Sequence, residues 1–163
     1  MTAEVTTRRI LAEKALQETC GQQCVDWAIG LLERGSDSHY IFRLAGMVPP
    51  HNHFEIAELR DNVLSDLAIE DTSPEKSITA YTLEICRSVL NGEGDVVAAL
   101  TEIAQLCISA EYQRNIMDFY LLYFAYTDLQ SSDVQWYWDG LTTENALTII
   151  RERMATFVEE NPG

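Results

Sequence analysis

A chain of 163 residues with 47% hydrophobic and 23% charged side chains has a globular composition, and folding at this length removes roughly 70% of the unfolded chain's surface from water. Twenty-six acidic residues against 11 basic ones give a net charge of −15; this opposes the phosphate neutralisation on which affinity for nucleic acid or anionic lipid depends and favours a basic protein partner. No apolar run reaches the roughly 20 residues of a membrane span, "MTAEVTTRRILAEKALQ" lacks the pattern of a secretory signal, and four cysteines in a chain able to build its own core do not read as a secreted disulfide framework.

Apolar residues recur at helical spacing nearly throughout, and sustained period-two alternation is absent, which predicts an all-α protein. The first helix is expected over about residues 3 to 18, with Ile10, Leu11, Ala15 and Leu16 on its inner stripe. A second runs from near Cys20 to "ERG", burying Val25, Ala28, Leu31 and Leu32, with Gly35 suited to a left-handed cap. Ser36 or Asp37 is expected to cap a short helix through Ile41, Phe42, Leu44 and Ala45, stopped by Gly46 and the Pro49-Pro50 pair.

The apolar pattern resumes after "PPHN" with Phe54, Ala57, Val63, Leu64 and Leu67, and fades around "IEDTSP". Ser73-Pro74-Glu75 opens a fifth helix, because proline at the first helical position gives up only an amide that has no partner there. Ile78, Tyr81, Ile85 and Val89 form its inner stripe and "NGEG" ends it. Asp95 opens a sixth with Val96, Leu100, Ile103 and Cys107 inside. Around Ser109 the chain turns into a seventh, "EYQRNIMDFYLLYFAYTDL", which is apolar nearly all round its middle, as central helices usually are. Thr142 or Thr143 caps the last, which carries Ala146, Leu147, Ile150, Met154 and Phe157. No linker rich in Pro, Gly or Ser divides residues 1–163, so one domain is expected: a bundle of about seven to nine helices in antiparallel pairs joined by short loops.

Cys20, Cys24, His51 and His53 supply enough ligands for tetrahedral zinc, but "CGQQC" spans a helix start and not the tight loop of a zinc module. His51-Asn52-His53 reads instead as helix punctuation, with Asn52 as N-cap and Glu55 placed to reach back to its amide. Cys86 and Cys107 sit on apolar stripes like small hydrophobes. Carboxylate pairs such as Glu58 with Asp61 or Asp66 with Glu70 have no second ligand set, and no Glu is followed three residues later by His as a di-metal bundle requires. With no phosphate-binding glycine loop and no nucleophile beside a base, no catalytic residue, metal ligand or cofactor is assigned.

The partner-binding residues expected from the sequence are Asp128, Asp133, Trp136, Tyr137, Trp138 and Asp139. They lie in residues 115 to 150, which contain no Lys or Arg but most of the protein's aromatic side chains. Trp and Tyr dominate interface hot spots, and neighbouring acids attract Arg or Lys on a partner. Residues 119 to 126 suit a core helix better than an interface, whereas "WYWDG" in its loop suits core and interface alike.

Trp27-Ala28, Leu31-Leu32, Gly35, Asp37-Ser38 and Leu44-Ala45-Gly46, within a region extending to about residue 125, resemble a loose group of small uncharacterised helical bacterial proteins. Small acidic chains of this kind are similar to toxin-immunity proteins. The resemblance implies a bacterial helical fold and a binding role. The resulting expectation is a cytoplasmic acidic module, of immunity or antagonist type, that occludes a basic protein partner and binds neither nucleic acid nor membrane. The alternatives are a self-associating structural module and a metal-dependent enzyme built on the two cysteines and two histidines.

Overall fold

The computed structural model describes residues 4–162. Among them are eight α-helices and no strand: α1 Thr7–Ala15, α2 Gln22–Glu33, α3 His39–Ala45, α4 His53–Asp66, α5 Pro74–Leu90, α6 Val96–Ser109, α7 Met117–Ser131 and α8 Ala146–Glu160. A 3-10 turn, Arg114–Ile116, leads into α7. The expected beginning of the first helix at residue 3 lies outside the described residues; α1 starts where the Thr6 hydroxyl accepts the Arg9 N–H at 3.2 Å. No helix among the described residues is long and apolar enough to cross a membrane.

Helix starts follow the side chains that can accept a bond from an otherwise unpaired amide. Asn52 Oδ1 accepts from the Phe54 and Glu55 amides at 3.1 and 3.2 Å, and Asp95 Oδ2 accepts from Ala98 at 2.8 Å. Ser73 accepts from Lys76 at 3.3 Å, ahead of Pro74 at the first position of α5. Thr142 and Asn145 form a reciprocal box: the Asn145 amide donates to the Thr142 hydroxyl and the Thr142 amide to Asn145 Oδ1. Four expectations are corrected. The seventh helix begins at Met117 and not at Glu111, and the eighth at Ala146 with Asn145, not Thr142 or Thr143, at the N-cap position. Ser38, not Ser36 or Asp37, caps α3 by accepting from Ile41, and the Glu55 carboxylate turns to Arg43, 3.7 Å away, not to the Asn52 amide.

Five helices end on one device. In α2 the Gly35 amide donates to Leu32 O and the Ser36 amide to Leu31 O, both at 3.0 Å, around a left-handed Gly35 with φ of 90°. Paired bonds of this kind satisfy carbonyls that the helix leaves open. The same pair closes α5 at Gly92, but Gln17, Ala68 and Glu111 occupy the left-handed position after α1, α4 and α6, with φ between 53° and 56°. Each carries a Cβ where glycine would be unstrained.

The contacts divide the chain into two compact units, Met1–Ser77 and Ile78–Gly163, with the boundary inside α5. Because a helix and not a linker crosses the boundary, composition did not mark it. In the first unit, fully buried Trp27 occupies the centre with Ile10, Ile41, Leu44, Ile56 and Val63, and its indole N–H donates to Thr7 Oγ1 at 3.1 Å. In the second, Leu100, Ile103, Phe119, Leu122 and Ile150 are buried, and Phe119 meets Phe157 edge to face at 5.4 Å. Arg153 reaches Asp118 at 2.8 Å beside the Phe119 ring.

Three apolar residues placed inside by their pattern are outside. Phe54 is 91% exposed, and Phe42 and Leu147 are also exposed. In α4 the buried stripe is Ile56, Leu59, Val63 and Leu64; Phe54 lies two residues before Ile56, about 200° round the helix. The seventh helix is less central than its composition predicts. It buries only Phe119, Leu122, Ala125 and Leu129, leaving Tyr120, Tyr123, Phe124 and Tyr126 half-buried.

Replacing Ala68 by glycine relieves the left-handed strain and is expected to stabilise the protein by about 1 kcal/mol, whereas Gly35→Ala costs about as much. Urea titrations with unchanged slope and midpoints moving in opposite directions are the expected readout.

Candidate functional site

The loop between α7 and α8 is held by one side chain. Gln135 Oε1 accepts the amides of Tyr137 at 2.9 Å and Trp138 at 2.8 Å, while its Nε2 donates to the Trp138 and Leu141 carbonyls. The Leu141 amide returns to Trp138 O at 3.2 Å, Gly140 turns the chain with φ of 82°, and Asn145 Nδ2 donates to Gly140 O at 2.9 Å. With its backbone thus tied down, the loop presents Trp136, 89% exposed, and Tyr137, 44% exposed. Trp138 is half-buried; Asp133 and Asp139 are exposed, and Asp128 near the end of α7 is half-buried.

Tyr137 is also the last ring of a chain of aromatic contacts. Its ring lies 5.7 Å from Phe124, which lies 4.8 Å from Tyr120, which meets the exposed Tyr112 at 5.4 Å. The result is a partly exposed aromatic ridge along one side of α7, continued by the loop. Such rings offer large surfaces with few rotatable bonds, so little conformational freedom remains to be lost on docking.

A second cluster stands at the start of α2. The Cys24 thiol donates to Cys20 Sγ at 3.2 Å, and Arg60 Nη1 of α4 lies 2.6 Å from the same sulfur. These contacts lower the Cys20 pKa to about 7: the bond from Cys24 contributes most, and the Arg60 charge and its hydrogen bond add to it against the effect of burial. Cys24 moves the other way, because it donates to Cys20, is buried and faces that sulfur's charge. Cys86 is pushed up to about 12 and Cys107 is also raised, both by burial.

The two histidines make contacts beside this cluster. His53 Nδ1 donates to the Cys20 carbonyl, and His51 Nε2 lies 2.9 Å from Gln22 Oε1. Among the described residues, no group of three or more His, Cys, Asp or Glu side chains is placed to hold a metal ion.

No family model, curated protein or solved structure matches the chain.

Gln135 and Arg60 are the organising residues that sequence reasoning passed over. Gln135 stands three before Trp138, a spacing open to an Asx-like turn, but glutamine is too common in loops for that to single it out. Arg60 falls on the buried stripe of α4, four residues after Ile56 and three before Val63. A cation at that phase signals a buried counter-charge.

Gln135→Ala removes four hydrogen bonds to the loop backbone. The amides of Tyr137 and Trp138 are expected to exchange several-fold faster than in the parent chain, since a typical intramolecular hydrogen bond contributes about 0.5–1.5 kcal/mol. Amide exchange followed by mass spectrometry reads this directly.

Proposed function

We infer that the chain is an acidic protein-binding module that docks a basic protein partner through the aromatic ridge and the loop carrying Trp136 and Tyr137. The observation that carries the reading is the exposure of Trp136 and Tyr137 on a loop whose backbone is fixed by Gln135. A large indole held in water at 89% exposure contributes nothing to the fold's own core. A flexible loop would lose its ordering entropy on binding; this one is ordered already.

Charge supports the same reading. Residues 115 to 150 hold no Lys or Arg, and Asp133 and Asp139 flank the exposed rings in sequence. These acids accelerate encounter with a basic surface, after which the rings are buried against it. In its most specific form the module is an immunity or antagonist protein of a cytoplasmic compartment: occupation of a partner's basic working surface is sufficient to block it, with no chemistry needed from the module itself. The expected discrimination is against nucleic acid, which presents charge of the same sign.

The test begins with a photo-crosslinking amino acid in place of Trp136, which identifies the protein that touches the loop. Trp136→Ala with Tyr137→Ala is then expected to weaken that partner's affinity by roughly 30-fold or more, equivalent to at least about 2 kcal/mol, with association slowing steeply as salt rises. An unchanged affinity and a salt-independent rate refute the reading. Trp138 is less suitable for this purpose, because its side chain is half-buried and its removal would also disturb the loop's packing.

A second reading, self-association, rests on the first unit, where Phe42, Val48 and Phe54 are exposed at 58%, 72% and 91%. Sedimentation at two concentrations distinguishes it: a mass that rises with concentration and falls back in Phe54→Ala supports a self-associating module.

A further inference from the structure

Filling volume alone does not account for the cluster at Cys20. Arg60 is only 8% exposed, and its guanidinium has two acceptors on it: Asp61 Oδ1 at 3.0 Å from Nε and Cys20 Sγ at 2.6 Å from Nη1. A sulfur serving as acceptor for a buried cation serves best as a thiolate. The second thiol completes the arrangement, since its hydrogen points at the first sulfur from 3.2 Å. That separation is about 1 Å more than a disulfide bond. Both residues are buried, but not equally: Cys20, just before α2, is 8% exposed, and Cys24, in the first turn, 1%.

We propose that Cys20 and Cys24 form a dithiol oxidation site, in which Cys20 attacks a small hydroperoxide and Cys24 then closes a reversible intramolecular disulfide. In the first step the Cys20 thiolate forms an S–O bond with one peroxide oxygen, the O–O bond breaks, and hydroxide leaves to take up a proton as water. Cys20 is now a neutral sulfenic acid. In the second, Cys24 Sγ bonds to Cys20 Sγ, the S–O bond breaks, and the departing oxygen takes the Cys24 proton to leave as water. Two thiols are oxidised by two electrons and hydrogen peroxide is reduced to two waters. An external thiol reverses the bond by exchange.

The surroundings order these steps. Cys24 is held protonated while Cys20 is an anion, because it donates to that sulfur and is repelled by its charge. Once Cys20 carries the sulfenic oxygen both effects vanish, and the Arg60 charge then favours loss of the Cys24 proton. Charged neighbours bear on Cys20 from two elements: Arg60 of α4 favours the anion, Glu13 of α1 opposes it, and Asp61, also of α4, is engaged at Arg60 Nε. His53 donates to the Cys20 carbonyl and not to its sulfur. Cys86 and Cys107, both fully buried, serve as internal controls.

The full chain is treated with equimolar hydrogen peroxide at pH 7, quenched with N-ethylmaleimide and digested with trypsin. Cleavage after Lys14 and Arg34 leaves both cysteines in one peptide, residues 15–34. That peptide is expected to lose two hydrogens and take no maleimide, while the Cys86 and Cys107 peptides are fully alkylated. Cys24→Ser should stop at the first step, with the Cys20 sulfenic acid trapped by dimedone. Arg60→Gln is expected to slow Cys20 oxidation roughly tenfold, with the thiolate fraction it lowers, and to move the midpoint of Cys20 alkylation upward from about 7; Arg60→Lys restores part of both. Oxidation of Cys20 no faster than that of Cys86 or Cys107, or wild-type peptide that stops at sulfenic acid, overturns the proposal. Both outcomes are read on the parent chain, so failure of an Arg60 variant to fold does not protect it.

Discussion

A guanidinium buried in the first unit must find acceptors, and the structure around the start of α2 follows from how Arg60 finds them. Removing such a cation from water costs several kcal/mol unless its donors are met. Asp61, next in sequence, meets Nε. Nothing on α4 itself meets Nη1, and the partner comes from 40 residues earlier, as the sulfur of Cys20. This fixes the segment before α2 against α4; His53, at the first position of α4, reinforces it by donating to the Cys20 carbonyl. Cys24 then falls one helical turn on, close enough to give its proton to the same sulfur. The thiol chemistry is thus a consequence of satisfying a cation.

Some helix starts and some helix ends were legible in the sequence, for one physical reason. A start is signalled where a short polar side chain accepts a local amide, as at Asn52, Ser73 and Asp95. An end closed by a left-handed residue is signalled only when that residue is glycine. Gly35 and Gly92 were therefore read correctly, whereas Gln17, Ala68 and Glu111 hold the same conformation with side chains that announce nothing. The expected first helix ran to residue 18, past Ala15, because nothing in "LQE" forbids continuation.

Burial phase was legible where a stripe was long and failed at helix margins. Ile78, Tyr81, Ile85 and Val89 lie inside as their spacing requires. Phe54 and Leu147 each stand near the first turn of a helix, where one apolar residue has no earlier neighbour to fix its phase. The triplet His51-Asn52-His53 shows the same limit at a candidate site. Its capping role was readable from Asn52 alone, but that His53 would reach the Cys20 carbonyl depends on a contact spanning 33 residues. Likewise, the concentration of aromatics in residues 115 to 150 was plain from composition, yet which rings face water was not. Gln135, which decides it, carries no distinctive signal.

The charge imbalance acquires a sharper meaning once the ion pairs are placed. At least six of the 11 basic side chains, Arg9, Lys14, Arg34, Arg43, Arg60 and Arg153, lie within ion-pair distance of a carboxylate. Lys14 stands between Asp61 and Asp71, and Arg153 between Asp118 and Glu160. Most of these pairs are exposed, and exposed pairs add little to stability, typically about 0–1 kcal/mol. Their larger effect is on the field. Positive charge is spent against nearby acids, so the excess negative charge is left to stretches with no cation of their own. The loop of Trp136 lies in the longest of these, with Asp133 and Asp139 on it. In the proposed docking these acids would supply an attraction that dissolved salt weakens beyond about 8 Å at physiological strength, whereas burial of the rings would be insensitive to salt. On that proposal, encounter and adhesion rest on different residues of the same loop.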